Sequence, residues 1–488
     1  MTTKRPLNSI KLAELNFTNR LNKYCPHLFV QVKSTPLQNP LLLHINRELL
    51  DRLEIDSREL DKPSFTQFLN GDLEFEGVLS VSSFYSGHQF GHYVPRLGDG
   101  RALMLGEVET SDGRHYELQL KGAGLTPFSR MGDGKAVVRS SIREYLCSAH
   151  LKALGIPTTE ALAIIHGSDD VYREEIEKAA IVFRVAQSFL RFGHFQYYAH
   201  TDQQIELKAL LDFCIKNYFS EFDEHPNRNL LFFQSVVKKT AKLFASWQAV
   251  GFCHGVLNTD NMSILGLTID YGPFGFLDHL DPDHICNHSD HEGRYSFGNQ
   301  PPIGMWNLEQ LGMALRHFLN DEDLKRTLDT YPQIFHVEYR RLLKKKLGLE
   351  KMQEGDEEFL RKTLNMLTET KIDYTQFFRE LSHYQTSKQL SFAPMDLLSD
   401  FLKDYEKRLL YEETRSEERR LKMLSFNPKF ILRNYMAQIA IDNYVVRPDI
   451  LEKMFEVLSN PFEEWPEHDE WSRSTPAEYK NLSVSCSS

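Results

Sequence analysis

The stretch from His254 to Gly272 constrains this chain more than any other. It reads His254-Gly-Val-Leu-Asn-Thr-Asp260-Asn261, and Asp270-Tyr271-Gly272 begins nine residues after Asn261. Asparagine and aspartate supply hard oxygen donors of the kind that hold Mg²⁺ or Mn²⁺ against phosphate. A solvated Asx turn in Asn258-Thr-Asp-Asn is the plainer reading of the same residues. His254 and Asp270, at their fixed separations, argue for the metal-and-phosphate reading instead.

Protein kinases space a His, an Asp two residues on, an Asn five further, and then Asp-Phe-Gly. Here the seven-residue separation of His254 and Asn261 is kept, and the position of the base is Val256. An apolar side chain cannot take a proton from a hydroxyl, so ordinary phosphoryl transfer is in doubt. Asp260 is the nearby carboxylate left to act as base, four positions from Val256. A shifted base implies a hydroxyl arriving from another side, or attack on a different phosphorus.

Upstream, Gly98-Asp-Gly100-Arg101 precedes an apolar run, where small residues let backbone approach phosphate, although a lone GxG is more often a tight turn. Two alternating runs flank Ser111-Asp112-Gly113 and predict a β-hairpin ending at Lys121. A glycine-rich stretch, Gly122 to Arg139, leads into a helix with Ser141 as its expected N-cap and Gly155-Ile-Pro157 as its stop. Glu144, 23 residues after Lys121, could close a capping box with Ser141 or pair with Lys121 as kinases do. Its place between Lys121 and Asp270 favours the ion pair. Asp133-Gly134-Lys135 reads as a second phosphate loop or as a surface turn. Arg184, on an apparent strand, and Arg191 need partners if buried, either phosphate or a carboxylate. Cys286-Asn-His288-Ser-Asp290-His291 has metal-type side chains but one thiol, and reads better as a segment packed beneath the site.

At 488 residues the chain calls for two or three packed units, and a hydrophobic content of 41% suits a globular protein. The net charge of −11 speaks against general affinity for nucleic acid or anionic membranes. Six scattered cysteines without a CxxC pair, no signal-like start and no long apolar run predict a cytoplasmic protein. Strands are expected at 161–165 and 179–187, and helix from 201 to 250. After about Gly304 amphipathic helices are expected, including 404–424 and 430–446, with an extended tail from Pro461. The fold class this predicts is α+β, two-lobed and protein-kinase-like. Its parts are an N-terminal extension (1–75), a β-rich N-lobe (76–200), a helical C-lobe with the catalytic and metal loops (201–325), a helical region (326–470) and a tail (471–488).

These motifs together resemble the selenoprotein O family, pseudokinases that act as protein adenylyltransferases. The resemblance runs through Tyr85-Ser-Gly-His-Gln-Phe-Gly, Leu97-Gly-Asp-Gly-Arg-Ala, Leu118-Gln-Leu-Lys-Gly-Ala-Gly and Arg139-Ser-Ser-Ile-Arg-Glu-Tyr-Leu. It continues through the His254 and Asp270 motifs, Cys286-Asn-His-Ser-Asp and Trp306-Asn-Leu to the final Cys486-Ser-Ser. It implies ATP bound flipped relative to kinases, so that AMP passes to Ser, Thr or Tyr hydroxyls of other proteins and pyrophosphate leaves. By the same resemblance Gly98, Gly100, Arg101, Lys121, Asp133, Gly134, Arg184, Arg191 and Asp270 contact the nucleotide, and Lys121 pairs with Glu144. Asn261 and Asp270 hold Mg²⁺ or Mn²⁺, and Asp260 is the acceptor base. Eukaryotic members carry selenocysteine third from the end, where this chain has Cys486, a weaker acid. A Cys286–Cys486 bridge gating the segment after Asp270 is the corresponding redox expectation. Two other functions compete with AMP transfer: γ-phosphoryl transfer with Asp260 as base, which Val256 argues against, and a non-enzymatic ATP-binding scaffold, which has little reason to keep a metal site.

Overall fold

A computed structural model describes residues 9–73, 75–390 and 395–480, with Leu482 and Val484. Its centre is an antiparallel sheet. The strands are β1 (Phe29–Gln31), β2 (Leu41–Ile45), β3 (Val81–Ser83), β4 (Ala102–Glu109), β5 (His115–Lys121), β6 (Glu160–Tyr172) and β7 (Ile176–Ala186). They lie in the order β1-β3-β4-β5-β7-β6-β2, with Asn16–Phe17 added along β4 and Ala136–Val137 along β7. The β4–β5 hairpin turns where the sequence predicts, with Glu109 opposite His115 and Gly113 at φ +77°. The Asp112 carboxylate accepts from the Thr110 hydroxyl at 2.7 Å, closing that turn.

Residues 9–73, expected within an extension, are part of this layer. They supply β1 and β2, and their Leu49, Leu53, Phe65 and Phe68 bury against Leu103, Leu118, Leu120 and Phe183 of the sheet. The opposite face carries helix α1 (Val138–Ala153), whose Ile142, Tyr145 and Leu146 pack with Ile164, Ala180 and Val182. This helix begins three residues before Ser141, straight out of the extended Val137, and the buried Ser141 hydroxyl has no partner among the described residues. Ser141 is therefore no N-cap, and Glu144 is free of capping duty. Gly155, at φ +74°, ends the helix as expected.

After β7 the chain passes through residues 187–191 into α2 (Phe192–His200), α3 (Gln204–Tyr218) and α4 (Arg228–Val250). Short loops bearing the His254 and Asp270 motifs follow, then α5 (Gln300–Leu315), α6 (Tyr331–Lys346), α7 (Asp356–Thr370) and α8 (Tyr374–Ser387). The helix expected over 404–424 is two, α9 (Ser399–Leu409) and α10 (Ser416–Leu424), and that over 430–446 shortens to α11 (Asn434–Asn443). Last comes α12 (Pro448–Ser459). The expected loose tail is instead anchored. Trp471 is buried, and the Ser474 and Thr475 hydroxyls donate to Asp373 and Asp278 at 2.8 and 2.9 Å. Among the described residues no helix is long and apolar enough to cross a membrane.

Period-two alternation along β5 sends Leu118 and Leu120 to the core and Glu117, Gln119 and Lys121 to the other face. Glu117 sits behind the connection from β7 to α2. Its carboxyl accepts from the Phe189 amide at 2.6 Å and the Ser188 hydroxyl at 3.1 Å. Burial, with Glu107 nearby, pushes its pKa up to about 8. The folded value lies above the ordinary 4.5, so the stability it contributes is complete below pH 4.5 and is lost as pH rises through about 8. Glu117→Gln keeps the shape and removes the titration, with Tyr218 and Glu107 still facing the site. Its melting temperature should fall less than that of the wild type across this window, as differential scanning fluorimetry at stepped pH will show.

Candidate active site

The same alternation places a lysine and an arginine side by side. Arg184 of β7 stands opposite Gln119, and Val182 opposite Lys121. Arg184 Nη1 donates to Gln119 Oε1 at 3.0 Å. From α1, Glu144 enters between the two cations. Lys121 Nζ donates to its Oε2, and Arg184 donates through Nε to Oε1 and through Nη2, at 3.1 Å, to Oε2. All three are buried. Burial alone would raise the Glu144 pKa, but Arg184 and Lys121 outweigh it and hold the carboxylate below its ordinary value. Burial draws Lys121 down to about 8 in spite of Glu144.

Asp270 continues the chain of charge. It sits at φ +56°, in the left-handed region, and meets Arg184 Nη2 at 3.1 Å and Arg191 Nη1. Against the opposing effect of burial, these guanidiniums hold its carboxyl far below the usual carboxylate range. Arg191 ends the connection from β7, where the chain enters α2. It also donates to the Asp260 carbonyl at 2.8 Å, lies 3.7 Å from the Asp99 carboxylate, and covers the Tyr85 ring at 5.0 Å. The charged partners of both arginines here are carboxylates.

Two glycine loops meet above this floor. A Cβ on Gly98, at φ +147°, would fall 2.5 Å from the Phe128 ring, and one on Gly134, at φ +72°, would fall 2.1 Å from the Gly124 carbonyl. Neither position admits a side chain. Asp133 is gripped by Arg173 through two bonds of 2.9 Å.

The catalytic loop closes the other side. His254 Nε2 donates to the Ile269 carbonyl at 2.9 Å, tying the loop to the segment before Asp270. Asn261 Nδ2 donates to the Val256 carbonyl at 3.0 Å. Asp260, in the short turn Thr259–Asn261, is buried, and burial pushes its pKa up to about 6. Its Oδ2 accepts from Gln89 Nε2 at 3.1 Å, while Oδ1 has no partner among the described residues.

Gly98, Gly100, Arg101, Lys121, Asp133, Gly134, Arg184, Arg191, Asp260, Asn261 and Asp270 all line one cavity of about 520 Å³, and Glu144 stands behind it. The volume suits a nucleotide-sized molecule. Sequence reasoning did not assign Asp99, Gln89, Tyr85 and Arg173 to this wall, although Tyr85, Gln89 and Asp99 lie within motifs that carry the resemblance.

The segment after Asp270 braces the loop. Cys286 is buried with its thiol on the Cys253 carbonyl at 3.4 Å, and Asn287 donates to the Gly255 carbonyl at 3.0 Å. Asp290 accepts from the Arg294 and Tyr295 amides. Cys486 lies outside the described residues. Val484, the last described residue, is buried, and its carbonyl accepts from the His288 amide at 3.0 Å. Among the described residues no three His, Cys, Asp or Glu side chains converge as a metal cage. Asn261 and Asp270 bring hard oxygens into a cavity rich in cationic side chains. That donor set fits Mg²⁺ or Mn²⁺ completed by phosphate and water, not zinc.

A buried lysine–glutamate pair, two arginines, a hard-oxygen pair and a buried carboxylate around one cavity define a nucleotide-dependent group transferase. A family model for protein adenylyltransferase SelO matches residues 11–461. Protein nucleotidyltransferase YdiU of Stutzerimonas stutzeri is 42% identical over 484 residues, covering 98% of this chain and 99% of that protein. Its namesake in Klebsiella pneumoniae is 42% identical over 485 residues, covering 97% and 100%. The chain belongs to the SelO family of protein adenylyltransferases.

Glu144→Gln would strand Lys121 and Arg184 against a neutral amide inside the protein. The loss should be about 3 kcal/mol, the scale of breaking a buried ion pair. Urea unfolding will read it directly, and nucleotide affinity should fall in parallel.

Proposed function

We propose that the chain is a two-lobed, protein-kinase-like enzyme that transfers AMP from ATP to Ser, Thr or Tyr hydroxyls of proteins. In this reading the sheet with α1 forms the N-lobe, and the helices from α2 onward form the C-lobe and its helical extension. The observation that carries it is the pairing of Val256 with Asp260. The usual base position is apolar, while a buried carboxylate in the same cavity keeps one oxygen unengaged. The Asp260 carboxylate takes the proton of the acceptor hydroxyl, whose oxygen attacks the α-phosphorus. The bond from that phosphorus to the β-phosphate oxygen breaks, and pyrophosphate leaves. Arg184 and Arg191 move their forks from Asp270 to the outer phosphates, and Lys121, steadied by Glu144, binds between them. Asp270, released, and Asn261 would then hold Mg²⁺ or Mn²⁺, whose charge offsets that of the phosphate chain. Gly98, Gly100, Arg101, Asp133 and Gly134 seat the rest of the nucleotide.

The test is label transfer with ATP labelled at the α- or the γ-phosphate. Protein should take label from the α position alone; label from the γ position would mean a kinase with a displaced base. Asp270→Ala should abolish transfer, and Asp260→Asn should slow it by about 10²–10⁴ while ATP still binds.

Cys25, Cys147, Cys214, Cys253 and Cys286 are free and buried, which suits the reducing cytoplasm. The docking of Val484 on His288 supports a redox role for Cys486, two residues further along. In this reading an added disulfide oxidant takes two electrons from Cys286 and Cys486 and joins them. Thiol mapping after oxidation should find both protected, and Cys286→Ser should leave Cys486 open to alkylation.

A further inference from the structure

The short hairpin of Gly87–Gln89 and His92–Val94 stands apart from the main sheet and lies against the catalytic loop. It is fixed there at three points. The His88 amide donates to Thr259 Oγ1 at 2.7 Å, and that hydroxyl donates on to Gln196 Oε1 at 2.6 Å. At the tip, the Phe90 amide donates to the Tyr295 hydroxyl at 2.9 Å and to Asn258 Oδ1 at 3.3 Å. Between these anchors Gln89 reaches Asp260 with its amide N–H, at 3.1 Å. Arg130, from the second glycine loop, donates to Gln89 Oε1 at 3.4 Å, which sets the amide with its nitrogen toward the carboxylate. Gly87 brings the hairpin backbone so close that a Cβ there would fall 2.7 Å from Asp260 Oδ1.

We infer that Gln89 is a positioning residue for the acceptor base. Its amide fixes Asp260 Oδ2 while the Gly87 backbone packs closely against the buried Oδ1, so the carboxylate is held in one orientation from both sides. A buried carboxylate on a three-residue turn can rotate about its side-chain bonds. Among the described residues Gln89 is the one side chain that donates to it. The arrangement also ties the base to the second glycine loop through Arg130, so that loop and base share one support. The inference rests on the reading of Asp260 as base.

The experiment uses the full-length protein with Mg²⁺- or Mn²⁺-ATP labelled at the α-phosphate, and counts label on β-casein and on the enzyme itself. Gln89→Met keeps the length of the side chain and removes the donor. It should lower kcat about tenfold with KM for ATP changed less than about twofold, as expected for loss of one hydrogen bond to a charged group. Gly87→Ala should show the same split, by crowding the carboxylate rather than releasing it. Melting temperature and ATP affinity close to wild type separate this from a folding defect. If Gln89→Met transfers AMP at the wild-type kcat while Asp260→Asn is inactive, the positioning role is overturned and the base stands. Should Asp260→Asn itself transfer at the wild-type rate, the base reading falls and this inference with it.

Discussion

The carboxylate of Glu144, shared by Lys121 and Arg184, is the interaction on which the rest of this site depends. Taking a charge out of water costs several kcal/mol, and only near-complete pairing offsets it. Here the pairing runs as a chain. Glu144 pairs with Lys121 and Arg184; Arg184 also reaches Asp270; Asp270 engages Arg191; Arg191 reaches Asp99 and the Asp260 carbonyl. The chain begins on α1, passes through β5 and β7, and ends on the two loops that carry Asp260 and Asp270. Sheet, helix and catalytic loops are therefore held in register by charge as well as by packing. A group removed anywhere along it leaves the next one buried without a counter-charge.

The cost of so many buried charges explains why their supports are rigid. Arg184 could not sit between Phe183 and Val185 unless the strand turned it to the face that Gln119 and Lys121 share. Arg191 needs the fixed connection that follows β7, and Glu117 braces that connection from behind through the Phe189 amide and the Ser188 hydroxyl. A neutral carboxyl serves this bracing role without adding another ion to an interior already crowded with them.

Much of this was legible in the sequence where the signal was local. Asp112-Gly113 marked the hairpin, Gly155-Ile-Pro157 marked the end of α1, and the separations among Lys121, Glu144, Asn261 and Asp270 marked the cavity. Local signals also misled. Ser141-x-x-Glu144 has the form of a capping box, but the strand at Ala136–Val137 runs directly into the helix, and tertiary pairing claims Glu144. The pattern over 404–424 is helical throughout. The break after Leu409 comes from Glu412, which accepts from the Glu350 and Lys351 amides and so bends the chain toward a distant loop. The tail looked loose by composition, yet its hydroxyls bond to Asp278 and Asp373, which also flank the buried Arg433. Gln89 was out of reach for the same reason. It lies 171 residues from Asp260, and an amide in a polar stretch carries no sign of what it will touch.

Val256 and Asp260 line the same cavity, an apolar side chain at one position and a buried carboxylate four residues on. Asn261 bonds to the Val256 carbonyl, and His254 bonds to Ile269, so the backbone of the loop is kept by contacts that do not involve the side chain at 256. That position is then free to be apolar. At 260 the requirements are stricter: a buried carboxylate needs a donor for one oxygen and close backbone packing at the other. Both come from the Gly87–Gln89 strand, an element outside the charge chain. The hairpin meets the charge chain at Asp260, whose carboxylate takes the Gln89 amide while its carbonyl takes Arg191, so one residue joins the two supports.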